Sequence, residues 1–158
     1  MSADLLAAAH AVLDDAIDLR RRIHRRPELG LENPRTQEAI LDALDGLPVK
    51  LTTGTSTTSV VGVMEGDQPG PTVLLRADTD ALPMPEDTGL EYASEVDGMM
   101  HACGHDAHTA MLAGAARLLA DRRADLAGRV LFMFQPGEEG FHGARFMLEE
   151  GLLDATGD

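Results

Sequence analysis

The amino-acid sequence predicts an α/β fold in which helices cover both faces of a sheet. Segments with apolar residues at helical spacing alternate with short segments rich in Val, Leu and Phe. One short segment, residues 130–134, is apolar at every position, which is typical of a strand covered on both faces. This alternation indicates a layered α/β domain.

The first half of the chain is predicted to form two helices and then two strands. Helical spacing extends over residues 4–25, and Asn33 followed by Pro is typical of the start of a second helix, which ends at Gly46. Residues 49–51 and 59–64 show strand patterns, the second being rich in Val.

The second half begins with a turn predicted at residues 66–71 and a buried strand at 73–75. A long loop over residues 76–104 leads to an Ala- and Leu-rich helix at 107–120, and another helix starts at Gly143 after the central strand. A loop of that length inside a compact domain is more often functional than idle.

Composition limits the classes of partner. The chain has 158 residues, enough for one domain, and a formal net charge of -14, which argues against nucleic acid or an anionic membrane surface. A basic cluster in the first helix is expected to be a solvated face; it comprises Arg20, Arg21, Arg22, Arg25 and Arg26. A single cysteine and no visible secretory signal lead us to expect a cytoplasmic protein.

The segment from His101 to His108 carries the strongest chemical signal. It contains the only cysteine and three of the six histidines. Cys103 and His105, separated by one glycine, can both bind a borderline-soft metal ion such as Zn²⁺. A catalytic Cys–His pair is the competing interpretation, disfavoured because residues two apart rarely place a thiolate and its base correctly.

Other residues of this segment have weaker signals. His101 and His108 are predicted either to bind substrate or only to line the start of the helix, and the sequence does not separate these interpretations. Asp106 is explained by the favourable position of a carboxylate at a helix N-terminus.

Two adjacent carboxylates, Glu138 and Glu139, follow the apolar strand 130–134 and a Gln-Pro-Gly turn. One can ligate a metal ion while the other acts as general base to metal-activated water. Because neighbouring side chains of an extended segment diverge, we expect the pair to divide these two roles.

Asp78 and Asp80 follow the strand at 73–75, and ligand sites of open α/β sheets form at the carboxyl ends of strands. We expect Asp78 to orient a metal ligand, whereas Asp80 either does the same or only stabilises a turn. His24, at the end of the first helix, is predicted to be structural.

Three motifs together resemble the metal-dependent N-acyl-amino-acid amidohydrolases, the hippurate and indole-acetyl-amino-acid hydrolase branch of the aminoacylase and carboxypeptidase superfamily. They are Arg-Ala-Asp-Thr-Asp-Ala-Leu-Pro (76–83), His-Ala-Cys-Gly-His-Asp-Ala-His (101–108) and Gln-Pro-Gly-Glu-Glu-Gly (135–140). The segment Ile-His-Arg-Arg-Pro-Glu-Leu-Gly (23–30) is similar too.

The resemblance implies Cys103, His105 and Glu139 as metal ligands, Glu138 as the general base and Asp78 as the carboxylate that orients a ligand. It implies one or two divalent ions (Zn²⁺, Mn²⁺, Co²⁺ or Ni²⁺) and amide hydrolysis of N-acyl amino acids or small peptides. Arg76 stands where the carboxypeptidase branch has a metal-binding His, so the number of ions stays open.

The fold implied is a three-layer zinc-peptidase-like catalytic domain with a mixed, mostly parallel sheet, truncated at its C-terminal side. Residues 1–158 would be the N-terminal portion of that domain, without the lid and dimerisation domain of a homodimeric parent. The alternative is a non-catalytic truncated module that binds a metal or a partner.

Overall fold

The computed structural model describes residues 2–156 as an α/β domain of five helices and four strands. In chain order these are α1 (Ser2–Ala11), α2 (Leu13–His24), α3 (Pro34–Leu44), β1 (Lys50–Thr53), β2 (Val60–Glu65), β3 (Gln68–Asp78), α4 (His105–Ala120), β4 (Ala127–Gln135) and α5 (Gly143–Glu149). A 3₁₀ turn at Arg123–Asp125 precedes β4, and a second one, Leu152–Thr156, ends the described chain.

The helix predicted over residues 4–25 is divided in two at Val12, which has φ of -102° and ψ of 2°. Asp14 and Asp15 lie in the first turn of α2, where the partial positive charge of a helix N-terminus favours carboxylates. A helix therefore restarts at this point, although the apolar spacing continues through it.

The sheet has the strand order β1-β2-β4-β3 and is mixed, as predicted. The pairs β1–β2 and β2–β4 are antiparallel, and only β3–β4 is parallel. The expectation of mostly parallel pairing is therefore wrong for the described strands. The short link between β1 and β2 permits only an antiparallel pair, whereas the segment through α4 is long enough for a parallel crossover.

Alternate residues of β4 face the two helical layers, as the period of a strand requires. Phe132 and Phe134, both 0% exposed, belong to the core cluster shared with α3 and α4. Met133 packs on the opposite face against Met147 of α5 and Leu152. These two clusters confirm three layers, with β4 between helices as its apolar sequence predicted.

The strand predicted to be buried at residues 73–75 is part of β3, but its burial is incomplete. Val73 and Leu74 are 49% and 41% exposed because β3 lies at the edge of the described sheet and pairs only with β4. Residues 68–71, predicted as a turn, extend this strand, with a shift of register between Gln68 and Thr72. Every helix among the described residues is too short or too polar to span a bilayer.

Candidate metal centre

Three loops meet at one edge of the sheet. Asp78 is the last residue of β3 and Asp80 follows it, while Glu138 and Glu139 follow β4, its parallel neighbour. The crossover between these strands enters α4 at His105. The carboxyl ends of parallel strands open on the same side, so the fold brings the three sequence motifs together.

Cys103, His105 and Glu139 form a group whose ligand atoms all lie within 4.8 Å of one another. Nε2 of His105 is 3.8 Å from Oε1 of Glu139. The His105 side chain is buried, Glu139 is half-buried and Cys103 is exposed, so the group opens to solvent on the thiol side. A set of one sulfur, one imidazole and one carboxylate suits Zn²⁺ and its neighbours in the first transition row, and it fits the metal that the motifs imply.

The orientation of His105 is set by its other ring nitrogen. Nδ1–H donates to the backbone carbonyl of Asp80 at 2.8 Å. A carbonyl oxygen only accepts, so the proton resides on Nδ1 and the lone pair of Nε2 points into the group. Burial alone would lower the pKa of His105, but hydrogen bonding by Asp80 and the charge of Asp78 outweigh burial and raise that pKa.

Asp78 lies beside the same nitrogen and belongs to a second group with His105 and His108. Its Oδ1 accepts a 2.7 Å hydrogen bond from Nδ1 of His108 and lies 3.5 Å from Nε2 of His105. Arg76 contacts the other oxygen at 3.3 Å. Because Nε2 of His105 lies close to both Asp78 and Glu139, Asp78 is adjacent to the centre formed with Cys103.

The two glutamates do not diverge as the extended pattern predicted. Oε2 of Glu138 lies 3.9 Å from Nε2 of His105, almost as near as Glu139. The chain bends directly after β4, and Asp80 accepts hydrogen bonds from the backbone N–H groups of both glutamates at 2.9 and 3.0 Å. Both carboxylates are therefore presented to the same space.

The thiol of Cys103 is protonated at neutral pH in this environment. A hydrogen bond with Glu139 and the nearby carboxylates of Glu138 and Asp78 raise its pKa to about 11. A cysteine nucleophile requires the opposite, a pKa lowered toward neutrality by a cation or a helix N-terminus. This environment counts against the catalytic Cys–His interpretation.

His108 and His101, whose roles the sequence did not decide, differ in their exposure to solvent. The His108 side chain is 47% exposed and borders the group, whereas His101 is 4% exposed. Neither ring nitrogen of His101 has a partner among the described residues, and burial lowers the pKa of this ring to about 4. His101 is therefore a buried, neutral ring.

Sequence reasoning missed a buried ionic cluster next to the centre. Oδ2 of Asp106, which is 0% exposed, accepts hydrogen bonds from Nδ1 of His24 at 2.8 Å and from Nε of Arg20 at 3.0 Å. The opposite nitrogen of His24 contacts Glu86 at 3.2 Å. Asp106 thus joins α4 to α2, and the only sequence signal was an ionisable residue beside a predicted ligand.

Comparison with known proteins agrees with the resemblance that the three sequence motifs carry. The family model for Peptidase family M20/M25/M40 matches residues 74–157. The chain is 44% identical over 152 residues to "IAA-amino acid hydrolase ILR1-like 5" of Arabidopsis thaliana, which covers 96% of this chain and 35% of the relative. It is 46% identical over 141 residues to "N-acetylcysteine deacetylase" of Bacillus subtilis, and this match covers 89% of this chain and 37% of the relative.

A solved structure is similar to this chain in both fold and sequence. The Bacillus subtilis YXEP protein, "a Dinuclear Metal Binding Peptidase from M20 Family", matches with a TM-score of 0.88 at 43% identity, over 93% of this chain and 41% of that one. The chain thus spans about a third of the length of the curated relatives named above. The match of the family model over more than half of the chain shows that it belongs to Peptidase family M20/M25/M40.

Proposed function

We propose that this chain forms the metal-binding part of a hydrolase that cleaves amide bonds in N-acyl amino acids or small peptides. The observation that carries the proposal is the grouping of Cys103, His105 and Glu139 within 4.8 Å, with the carboxylate of Glu138 at its edge. The names of the relatives, an amino acid conjugate hydrolase and a deacetylase, point to the same class of bond.

Cys103, His105 and Glu139 would hold one divalent ion of Zn²⁺, Mn²⁺, Co²⁺ or Ni²⁺, and a second ion is compatible with the nearby Asp78. When bound, such an ion acts as a Lewis acid toward the amide carbonyl and makes water a better nucleophile. The reduced thiol that this ligand set needs is consistent with the cytoplasm.

Glu138 is proposed as the general base. Its side chain is 43% exposed, so Oε2 is open to substrate while the backbone is held by Asp80. At Oε2 it would take a proton from the attacking water and deliver that proton to the leaving nitrogen.

Asp78 is proposed to orient His105 and His108 through its Oδ1. The half-exposed His108 is the candidate for substrate contact, while His101 is too buried in this conformation to reach a substrate. Residues 1–158 would then be the N-terminal portion of the catalytic domain in a homodimeric parent.

The first test is metal content. Elemental analysis after dialysis should find bound metal in the wild-type chain and little in Cys103→Ala, while His10→Ala should retain it. His10 is an exposed histidine of α1 and controls for adventitious binding by histidines. Equal metal content in the wild type and Cys103→Ala would refute the ligand assignment.

The second test is turnover of N-acetyl amino acids with added Mn²⁺ or Zn²⁺, by this chain and by any longer gene product that contains it. Hydrolysis abolished by a chelator supports the proposed hydrolase. Metal binding without hydrolysis by either form would favour the alternative, a non-catalytic module that binds a metal or a partner.

A further inference from the structure

Asp80 lies in one of the three motifs that form the centre and makes hydrogen bonds to residues of the other two. It lies in the segment after β3, its backbone oxygen accepts from His105, and its carboxylate accepts from Glu138 and Glu139. Sequence analysis left its role open. The question is what this carboxylate does for the site.

Burial makes the carboxylate dependent on these bonds. The Asp80 side chain is 0% exposed, and a buried carboxylate is strongly disfavoured unless hydrogen-bond donors replace its lost water. Each oxygen has such a donor: Oδ1 accepts from the Glu138 N–H at 2.9 Å and Oδ2 from the Glu139 N–H at 3.0 Å. Moving either glutamate backbone away would deprive one oxygen of this buried carboxylate of its backbone donor.

These bonds determine where the functional carboxylates lie. Two successive N–H groups directed at one carboxylate prevent this segment from continuing the extended course of β4. The bend places the oxygens of Glu138 and Glu139 at 3.9 and 3.8 Å from Nε2 of His105. The same residue holds His105 in the tautomer that leaves Nε2 free.

We propose that Asp80 is a positioning residue, whose carboxylate sets the location of the general base and of the glutamate ligand relative to His105. This inference rests on the proposed function. It assigns Asp80 no contact with substrate or metal, because its two oxygens are engaged by backbone donors.

The test is Asp80→Asn, which preserves size but removes the charge and turns one acceptor into an NH₂ group facing an N–H donor. The matched control is Glu150→Gln. Oε1 of Glu150 accepts backbone N–H bonds from Thr55 and Ser56 at 3.1 and 2.6 Å, so the control removes the same kind of interaction between residues outside the three motifs.

The readouts are the Kd for Co²⁺ and the absorption spectrum of the Co²⁺-loaded protein. We expect Asp80→Asn to weaken binding by about 10- to 100-fold, the usual effect of losing a partner of a metal ligand. Its ligand-field bands should shift while the sulfur-to-cobalt band of Cys103 persists, and Glu150→Gln should bind like the wild type. Wild-type affinity and spectrum in Asp80→Asn would overturn the inference.

A measurement on the unaltered protein covers the case in which Asp80→Asn does not fold. In hydrogen exchange of the metal-free wild type, the amides of Glu138 and Glu139 should be protected together, since both are bound to Asp80. Rapid exchange of both amides would overturn the inference. Absence of Co²⁺ binding by the wild type would instead refute the proposed function, so the two failures are distinguishable.

Discussion

Replacing Asp106 by Asn should destabilise the protein by about 3 kcal/mol. The side chain is 0% exposed and its Oδ2 accepts two hydrogen bonds, from Arg20 and His24. Hydrogen bonds to charged groups contribute about 1.5–3 kcal/mol each, and neutral ones about 0.5–1.5 kcal/mol. An Asn oxygen has two lone pairs and can accept both bonds, but without the carboxylate charge each bond is weaker by up to about 1.5 kcal/mol, which gives a loss of about 3 kcal/mol.

The assay is thermal and urea unfolding followed by circular dichroism. For a chain of this size 1 kcal/mol corresponds to about 2–4 °C in Tm, so the expected decrease is about 6–12 °C. The matched control is Asp42→Asn, which removes the charge of Asp42 from its 2.8 Å ion pair with Arg22, whose side chains are 58% and 49% exposed. Exposed pairs contribute about 0–1 kcal/mol, so this variant should unfold almost like the wild type.

The comparison of the two variants can refute the reasoning. A loss below about 1 kcal/mol in Asp106→Asn, or an equal loss in both variants, would mean that burial does not strengthen this cluster. The bonds from α2 to Asp106 would then be incidental to stability.

Three further predictions concern the proposed base Glu138, the loop after it and the carboxylate of Glu150. In a catalytically active form, Glu138→Gln should retain metal and lose about 10²- to 10⁴-fold in kcat, and an undiminished kcat would exclude the general-base role. Gly143→Ala should disrupt the loop between β4 and α5, because a Cβ at this position would overlap the carbonyl oxygen of Pro136. Gly114→Ala in α4 is the control, since its Cβ would meet open space and the change should be neutral or stabilising. Similar free energies of unfolding for the two variants would contradict this prediction. Hydrogen bonds from Ser56 lower the pKa of Glu150 from 4.5, so its stabilising effect should be present above pH 4.5 and disappear as the pH falls below that value. Urea unfolding of wild type and Glu150→Gln should therefore differ most above pH 4.5, and a constant difference at all pH values would disprove the linkage.

Much of the fold could be predicted because it depends on local patterns. The apolar run of β4 predicted a strand covered on both faces, and the structure places it between two helical layers. The start of α3 after Asn33 was also predicted. The exposure of Val73 could not be predicted, because a strand at the edge of a sheet can have the same sequence pattern as a central strand.

By itself, the sequence determined the family and the candidate metal ligands, because both depend on residue types at short spacing. Only the tertiary structure decided how Glu138 and Glu139 are oriented, why His105 presents Nε2, and that Asp106 joins two helices. The physical reason is the same in each case. Asp80 is 58 residues from Glu138 and Asp106 is 82 residues from His24, and hydrogen bonds over such separations leave no periodic pattern in the chain.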